Sequence, residues 1–235
     1  MNNRIGIIGD VHAEDLRLSL AVEFLTQNEI DLMICTGDIA DGTGDLNRSC
    51  EILREHSILC VRGNHDRWLL NDQLRDIPEA HNRNELSQEA LSFLEGLAAQ
   101  ERVALSNGEL LLCHGVLDRD MDKIWPGTER TRIERSEELD NFVANSPPRI
   151  IVNGHMHYRT IIDFENCVLI NAGTLKGNYP VLTVLDFGAD VVIGYSIKND
   201  LIEQVGTASL SNRAGRKVWT NTQDFDGVWQ PVTLN

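Results

Sequence analysis

The sequence is poor in positive charge. It carries 21 Lys and Arg residues against 36 Asp and Glu residues, which gives a formal net charge of −15. Binding to the phosphate backbone of nucleic acids relies on clustered Lys and Arg. The composition therefore argues against general nucleic-acid binding, although it leaves room for a local site at which bound metal supplies the positive charge.

The sequence also lacks the features of a disulfide-stabilised or membrane protein. Its five cysteines are odd in number and include no Cys-x-x-Cys pair, so we expect buried thiols in a reducing compartment. The first ten residues, MNNRIGIIGD, do not contain the apolar segment of a signal peptide. No stretch approaches the length of a membrane span. We therefore expect a cytoplasmic protein that does not insert into a membrane.

No internal repeat, low-complexity tract or linker interrupts the chain, which predicts one domain over residues 1–235. The first part alternates apolar runs with helix-like segments. The strand-like runs are 4–8, 31–35 and 57–61, and the helix-like segments are 15–28 and 45–55. This order predicts a parallel, largely buried sheet with helices packed on it.

The second part of the chain has a more varied pattern. It contains a helix candidate at 87–99, a hairpin at 102–115, a charged and partly helical segment at 116–146, and several short strands between 150 and 197. Asn107 and Gly108 favour a type I′ turn in the hairpin. We expect Trp219 and Trp229 to pack the C-terminal tail onto the body of the protein.

Five of the strand-like runs are followed by side chains that can bind a metal ion. In chain order these candidate ligands are Asp10, His12, Asp38, Asn64, His114, His155 and His157. Binding sites in open α/β sheets form at the carboxyl ends of strands. Five of the seven histidines lie at these ends, whereas scattered surface histidines would have no reason to gather there. The pattern therefore predicts a metal site, and His155 and His157 would point to the same side if the backbone were extended.

The types of candidate ligand indicate the class of metal. Carboxylate, amide and imidazole groups without thiolate suit Mn²⁺, Fe²⁺, Zn²⁺, Ni²⁺ or Co²⁺. One structural zinc ion takes about four ligands, so seven candidates suit two ions that share a carboxylate. Two ions about 3.5–4 Å apart can clamp the attacking and leaving oxygens of a phosphoryl displacement.

The candidate ligands fall within five ordered motifs. They are Asp10-x-His12, Gly37-Asp38-x-x-Asp41, Gly63-Asn64-His65-Asp66, His114 and Gly154-His155-x-His157. Together they resemble the motifs of the calcineurin-like metallophosphoesterase superfamily. The Asn-Ala-Gly-Thr stretch at 171–174 resembles the Asn-Ala-Gly-Ser stretch of the small prokaryotic phosphodiesterase branch.

The resemblance implies a fold, a ligand set and a catalytic pair. The fold would be a four-layer α/β/β/α sandwich of two mixed β-sheets with a dinuclear metal site at strand ends. One ion would be held by Asp10, His12, Asp38 and His157, and the other by Asp38, Asn64, His114 and His155. His65 would protonate the leaving oxygen or steady the transition state, and Asp66 would orient His65. The expected cofactors are two divalent ions, Mn²⁺ first, with Fe, Zn, Ni or Co as alternatives.

The implied activity is hydrolysis of a small phosphoester, a phosphodiester being favoured, by a hydroxide that bridges the two metals. A phosphomonoesterase or a nucleotide pyrophosphohydrolase is the alternative. A nuclease is less favoured because no basic stripe is present, and a catalytically silent scaffold because no motif residue is lost. The oligomeric state is left open, and a homo-oligomer is compatible with the sequence.

Some positions depart from the family patterns or are left open. Gly42 in place of Arg after Asp41, and Asp66 in place of Glu, argue against a protein Ser/Thr phosphatase. Ala13 stands where many relatives have Gly, a change expected to alter only the loop. Candidates for the substrate rim are Arg67, Trp68, Lys123, Trp125, Arg130 and Arg132. They could hold a second phosphate or stack on a base, but a solvated helix face and a packing anchor are the favoured interpretations.

Overall fold

The computed structural model describes residues 3–73, 75–232 and 234. Within these residues the strands form two six-stranded sheets. The strands are β1 (Arg4–Ile8), β2 (Leu32–Cys35), β3 (Leu59–Cys60), β4 (Gln100–Leu105), β5 (Gly108–Cys113), β6 (Ile150–Asn153), β7 (Arg159–Phe164), β8 (Val168–Ala172), β9 (Val181–Asp186), β10 (Val191–Lys198), β11 (Leu201–Ser209) and β12 (Val218–Trp219). The helices are α1 (Asp15–Gln27), α2 (Leu46–Glu55), α3 (Asn64–Leu70), α4 (Gln88–Glu95) and α5 (Glu137–Asn145), with short 3₁₀ turns at Arg83–Glu85 and Thr222–Asp224.

Both sheets are mixed. The first has the order β11-β10-β9-β1-β2-β3, with β1, β2 and β3 parallel and β9 to β11 antiparallel to their neighbours. The second has the order β12-β7-β8-β6-β5-β4. In it β5, β6 and β8 are parallel, β4 is antiparallel to β5, and β7 is antiparallel to β8 and parallel to β12. The predicted parallel β-α-β-α-β start is confirmed.

Alternating side chains of the strands fill the space between the sheets and the space under the helices. Ile5 and Ile7 of β1 pack between the sheets with Leu110 and Leu112 of β5. On the outer face of the first sheet the core includes residues of α1, α2 and α4. On the outer face of the second sheet, Leu111 lies in one cluster with residues of α5 and the C-terminal tail. The four-layer α/β/β/α sandwich is confirmed.

The hairpin turn between β4 and β5 differs from the sequence-based prediction. Leu105 pairs with Gly108, so Ser106 and Asn107 form the turn. A type I′ turn needs a positive φ at both central residues, but only Gly108, after the turn, has one, at 128°. The prediction of a type I′ turn at Asn107 and Gly108 is therefore wrong. Gly108 instead begins β5 with a positive φ, which glycine adopts without a steric cost.

The aromatic residues of the tail pack against the second sheet, as predicted. Trp219 and Trp229 are both buried in the cluster over that sheet. The Trp229 ring lies edge-to-face with Trp125, with centroids 5.1 Å apart. Trp125 is only 4% exposed, so this rim candidate is a packing anchor.

We expect Trp229→Ala to lower the free energy of unfolding by about 3–5 kcal/mol, because a large buried ring is removed next to Trp125. Denaturant unfolding followed by circular dichroism measures this loss. Val228→Ala is the matched control, since Val228 is 75% exposed, and it should change the free energy by less than about 0.5 kcal/mol. Equal stability of the two variants would contradict the anchoring role.

Candidate metal centre

The predicted ligands converge from the strand ends of both sheets. In the first sheet Asp10 follows β1, Asp38 follows β2, and Asn64 begins α3 just after β3. In the second sheet His114 follows β5, and His155 and His157 follow β6. The site therefore lies at the edge of the sandwich that is formed by the carboxyl ends of these strands.

The side chains form two groups with ligand-like spacing. Within each group the candidate ligand atoms lie within 4.8 Å of one another. One group comprises Asp10, His12, Asp38 and His157, and the other comprises Asp38, His114 and His155. The seventh candidate, Asn64, has its Oδ1 3.0 Å from Nε2 of His114. The structure thus brings all seven predicted side chains together.

Asp38 occupies the junction of the two groups. Its Oδ2 lies 3.3 Å from Nε2 of His114 and 3.9 Å from Nε2 of His12. Burial alone would raise the pKa of this carboxyl, but the neighbouring histidines, chiefly His114, hold the pKa of Asp38 well below its usual range. Asp38 is therefore an anion with access to both groups.

Backbone carbonyls fix the orientation of two of the imidazoles. Nδ1 of His12 lies 3.1 Å from the carbonyl oxygen of Ala40 and 3.0 Å from that of Asp41. Nδ1 of His114 lies 2.8 Å from the carbonyl oxygen of Thr36. Because a carbonyl only accepts, Nδ1 donates in each case and Nε2 points into the cluster, the arrangement typical of histidines that ligate metals.

The protein alone leaves acceptor nitrogens of this cluster unsatisfied. Nε2 of His155 is buried without a hydrogen-bond partner among the described residues, and Nε2 of His12 lies 3.0 Å from Nε2 of His157. Buried polar atoms normally have partners. Converging nitrogen lone pairs beside carboxylates fit cations, so the side chains present suit divalent metals.

The pKa values of the buried histidines also fit a metal site. Burial lowers the pKa of His12 and of His155 to about 4, which leaves both imidazoles neutral at physiological pH. Burial would also lower the pKa of His114, but Asp38 and Asp10 outweigh it and raise that pKa to about 10. In the absence of metal, a proton on His114 thus compensates the carboxylate charge.

Several site residues adopt left-handed backbone conformations. The φ angles are 47° at His12, 45° at Asp38, 62° at His155 and 57° at His157. Each such residue costs on the order of 1–2 kcal/mol. The backbone at His155 and His157 is therefore not extended, and the turn sends the two side chains to different ligand groups, as the resemblance implies. Ala13, where many relatives have Gly, also has a positive φ, at 54°.

The Asn-Ala-Gly-Thr loop holds Asp10 in place. The Asp10 amide donates to the carbonyl of Gly173 at 3.2 Å, and Oγ1 of Thr174 donates to the carbonyl of Asp10 at 2.8 Å. On the side chain, Oγ1 of Thr36 donates to Oδ1 and the amide of His155 donates to Oδ2, both at 2.9 Å. The bonds with Gly173 and Thr174 join the end of β1 in one sheet to the end of β8 in the other, at the position of a predicted ligand.

Asp66 does not contact His65 as the sequence-based interpretation required. Its carboxylate accepts hydrogen bonds from the amides of Ile39, Ala40 and Gly63 at 2.8–2.9 Å. Burial and the nearby Asp38 raise the pKa of Asp66 to about 6. These contacts include no hydrogen bond to His65, so they do not support the orienting role that the resemblance implies for Asp66. The carboxylate instead ties the Asp38 loop to the start of α3.

The carboxylate that faces His65 belongs to Asp41. Nδ1 of His65 lies 2.7 Å from Oδ2 of Asp41. Oδ1 of Asp41 accepts from the amide of His81 at 2.9 Å, and the Asp41 amide donates to Nδ1 of His81 at 3.0 Å. Asp41 was visible in the sequence as the second Asp of a motif, whereas nothing in the sequence pairs it with His65 or His81.

The outer face of His65 contacts residues of α3 and of the segment after it. Nη1 of Arg75 lies 3.2 Å from Nε2 of His65, and the Trp68 ring lies 5.0 Å from the His65 ring between centroids. Trp68 was a sequence-based rim candidate and does border the site. Arg75 was not anticipated, because no motif marks it.

The other rim candidates lie less close or are already paired. Arg67 forms a two-fold ion pair with Asp120, at 2.6 and 2.9 Å. The side chains of Lys123, Arg130 and Arg132 are exposed. No hydrogen bond or ion pair links these three to the predicted ligands within the part of the chain that the structure describes. Arg130 and Arg132 fit the interpretation as a solvated surface, whereas the charge of Lys123 contributes, after burial and His114, to the low pKa of His155.

Comparison with known families identifies the class of protein. The calcineurin-like phosphoesterase superfamily domain matches residues 4–186, which include all seven candidate ligands. The chain therefore belongs to the calcineurin-like phosphoesterase superfamily. No curated protein matches the chain.

Solved structures with the same fold come from several organisms. A metallophosphoesterase from Sphaerobacter thermophilus has a TM-score of 0.63 at 20% identity, over 84% of this chain and 89% of its own. The phosphoesterase Yfce from E. coli has a TM-score of 0.54 at 17% identity, over 88% and 100%. Wild-type Vps29 from Entamoeba histolytica, complexed with Zn²⁺, has a TM-score of 0.55 at 15% identity, over 88% and 99%. At these identities the likeness concerns the fold.

Long apolar helices are absent from the part of the chain described here: none of its helices could cross a membrane.

The five cysteines are free and buried, as predicted. Burial raises the pKa of the thiols of Cys113 and Cys167 to about 12, so these thiols are unreactive near neutral pH.

We expect the protein reconstituted with Mn²⁺ to bind two ions per chain, and Asp38→Asn to weaken both sites, because one carboxylate borders both ligand groups. Elemental analysis after gel filtration measures the stoichiometry. Asp120→Asn is the control, since Asp120 pairs with Arg67 outside the cluster, and it should keep two ions. A saturating stoichiometry of one in the unmodified protein, or loss of a single ion in Asp38→Asn, would contradict the shared carboxylate.

Proposed function

We propose that this member of the superfamily is a metal-dependent hydrolase that cleaves a phosphoester bond of a small substrate, with a phosphodiester favoured. The observation that supports this most directly is the pair of ligand groups that share Asp38. Beside them lies His65, whose ring is held by Asp41 and belongs to neither group. This combination offers both metal ligands and a separate proton donor.

The proposed ligand assignment follows the two groups. Asp10, His12, Asp38 and His157 hold one ion, and Asp38, Asn64, His114 and His155 hold the other. Two divalent ions at this place supply activation of water near neutral pH and neutralisation of the charge on the phosphate oxygens. The absence of thiolate among the ligands favours Mn²⁺, with Fe²⁺, Zn²⁺, Ni²⁺ and Co²⁺ as alternatives.

His65 is proposed to donate a proton to the leaving oxygen. Its Nδ1 faces the Asp41 carboxylate, so the proton would leave from Nε2. The hydrogen bond to Asp41 fixes the orientation of the ring. We propose Asp41, in place of Asp66, as the positioning residue, and Asp66 as a support of the Asp38 loop.

The charge of the chain favours a diester. With a net charge of −15, a monoester dianion meets more repulsion than a diester monoanion wherever no cation compensates it. Arg67 and Lys176 are paired with Asp120 and Glu79, so neither of these two cations is free to compensate the second charge of a monoester. A phosphomonoesterase or nucleotide pyrophosphohydrolase is the alternative.

Two other functions have less support than hydrolysis of a small phosphoester. A nuclease would need a basic stripe, and a silent scaffold would be expected to have lost part of the ligand set, which is complete here.

Buried free cysteines fit a reducing compartment, and we therefore propose the cytoplasm. The substrate is proposed to be small because the rim offers no extended basic groove.

We expect His65→Ala to keep both metals and to lose about 10²–10⁴-fold in kcat on esters with poor leaving groups, the range of general acid catalysis. Asp41→Asn should lose less, because it removes the support and keeps the imidazole. Steady-state kinetics and elemental analysis measure the two effects. The control is His56→Ala, since His56 is exposed on the far end of α2. A His65→Ala protein that lacks one ion would show that His65 is a ligand.

We expect bis(4-nitrophenyl) phosphate to have a higher kcat/KM than 4-nitrophenyl phosphate under Mn²⁺, because the monoester adds a negative charge next to an acidic protein. Both substrates release 4-nitrophenol, so the comparison keeps the leaving group constant. A clear preference for the monoester would overturn the diester assignment and favour the phosphomonoesterase.

A further inference from the structure

Arg75 carries an uncompensated positive charge at the edge of the metal centre. Among residues 3–73, 75–232 and 234, its guanidinium forms no ion pair. It contacts His65 through Nη1, at 3.2 Å, and it lies over the Trp68 ring with Cζ 5.0 Å from the centroid. A guanidinium has five N–H donors, so most donors of Arg75 have no acceptor in the described part of the protein.

Two neighbouring cations, unlike Arg75, are paired with carboxylates. Arg67 also lies near the Trp68 ring, at 5.9 Å, but its charge is matched by Asp120. Lys176, on the loop after β8, is matched by Glu79 at 2.6 Å. In a chain with a large excess of acidic residues, an arginine without a carboxylate partner beside a cluster of metal ligands is suited to bind an anionic ligand.

The position of Arg75 identifies the part of the substrate that it would meet. Arginine only donates, so Nε2 of His65 accepts from Arg75, and Nδ1 donates to Asp41. In the proposed function, Nε2 carries a proton when it meets the leaving oxygen, so Arg75 gives up this contact and its donors become free for the substrate. The leaving oxygen must therefore come within hydrogen-bond distance of the atom that Arg75 now contacts, which puts Arg75 on the leaving-group side.

We propose that Arg75, supported by Trp68, binds a phosphate carried by the leaving group. This rests on the proposed hydrolysis with His65 as proton donor. The preferred substrate is then a phosphodiester or phosphoanhydride whose leaving group itself bears a phosphate. Hydrolysis forms a bond from phosphorus to the water oxygen and breaks the bond to the leaving oxygen, which departs with the added phosphate. A planar guanidinium can grip phosphate through two parallel hydrogen bonds, and the indole face supports the cation.

Kinetics on two substrates test the assignment with the Mn²⁺-loaded protein. P¹,P²-diphenyl diphosphate has a phosphate in its leaving group, and diphenyl phosphate has none. Arg75→Gln should lower kcat/KM on the diphosphate by about 10- to 100-fold, the range for a charged hydrogen bond, and on diphenyl phosphate by less than about 3-fold. Arg75→Lys should recover part of the loss, and Arg67→Gln should change the two substrates equally. An equal loss on both substrates, or no loss on either, overturns the proposal.

A binding measurement separates this proposal from the proposed function. Calorimetry with P¹,P²-diphenyl methylenediphosphonate, whose bridging carbon resists hydrolysis, should give a Kd about 10-fold weaker for Arg75→Gln than for the unmodified protein or Arg67→Gln. If the unmodified protein cleaves neither ester, the proposed function fails, while the ratio of Kd values still decides the role of Arg75. If it cleaves both and the Kd does not change, the function stands and the assignment of Arg75 fails.

Discussion

The compensation of buried negative charge at Asp38 is the constraint on which the rest of the site depends. This carboxylate is almost wholly shielded from water and has no Arg or Lys partner among the described residues. Its neighbours are imidazoles that arrive from both sheets. A buried anion of this kind is tolerated only with matching positive charge, so the loops at the strand ends are arranged to supply it through histidines and the metals they suit.

The arrangement comes at a local cost in backbone energy. Left-handed φ angles at four candidate ligands reduce local stability, and close packing leaves no space for side chains at some glycines. A Cβ on Gly42 would collide with the His12 carbonyl, and one on Gly154 with Asp10. The small residue at position 42, which argued from sequence against a protein phosphatase, is thus required by the path of the His12 loop.

The sequence predicted which candidate ligands lie together better than it predicted the residues that contact and position them. Candidate ligands follow apolar strands directly, and strand ends in such sheets converge, so local pattern was enough to group Asp10, Asp38 and His114. The partners of His65 depend on how the chain returns after α3, which carries no periodic signal. The sequence therefore indicated Asp66, the residue next to His65, as the partner of His65. It gave no sign that Asp41 and Arg75 contact that ring. The turn that separates His155 from His157 was also hidden, because spacing alone does not reveal a positive φ.

The origin of the ligands in two different sheets has a consequence for folding. His12 and His157 are 145 positions apart in the chain, yet their imidazoles touch. Neither sheet by itself contains a complete group of candidate ligands, so each group forms only once the sheets have docked across their shared core. Ions that bind the docked form and not the separate sheets add their binding energy to that docking. A metal held by such a group would therefore link the two sheets at their edge, in addition to the core contacts, such as those of Ile7 and Leu110, that join them inside.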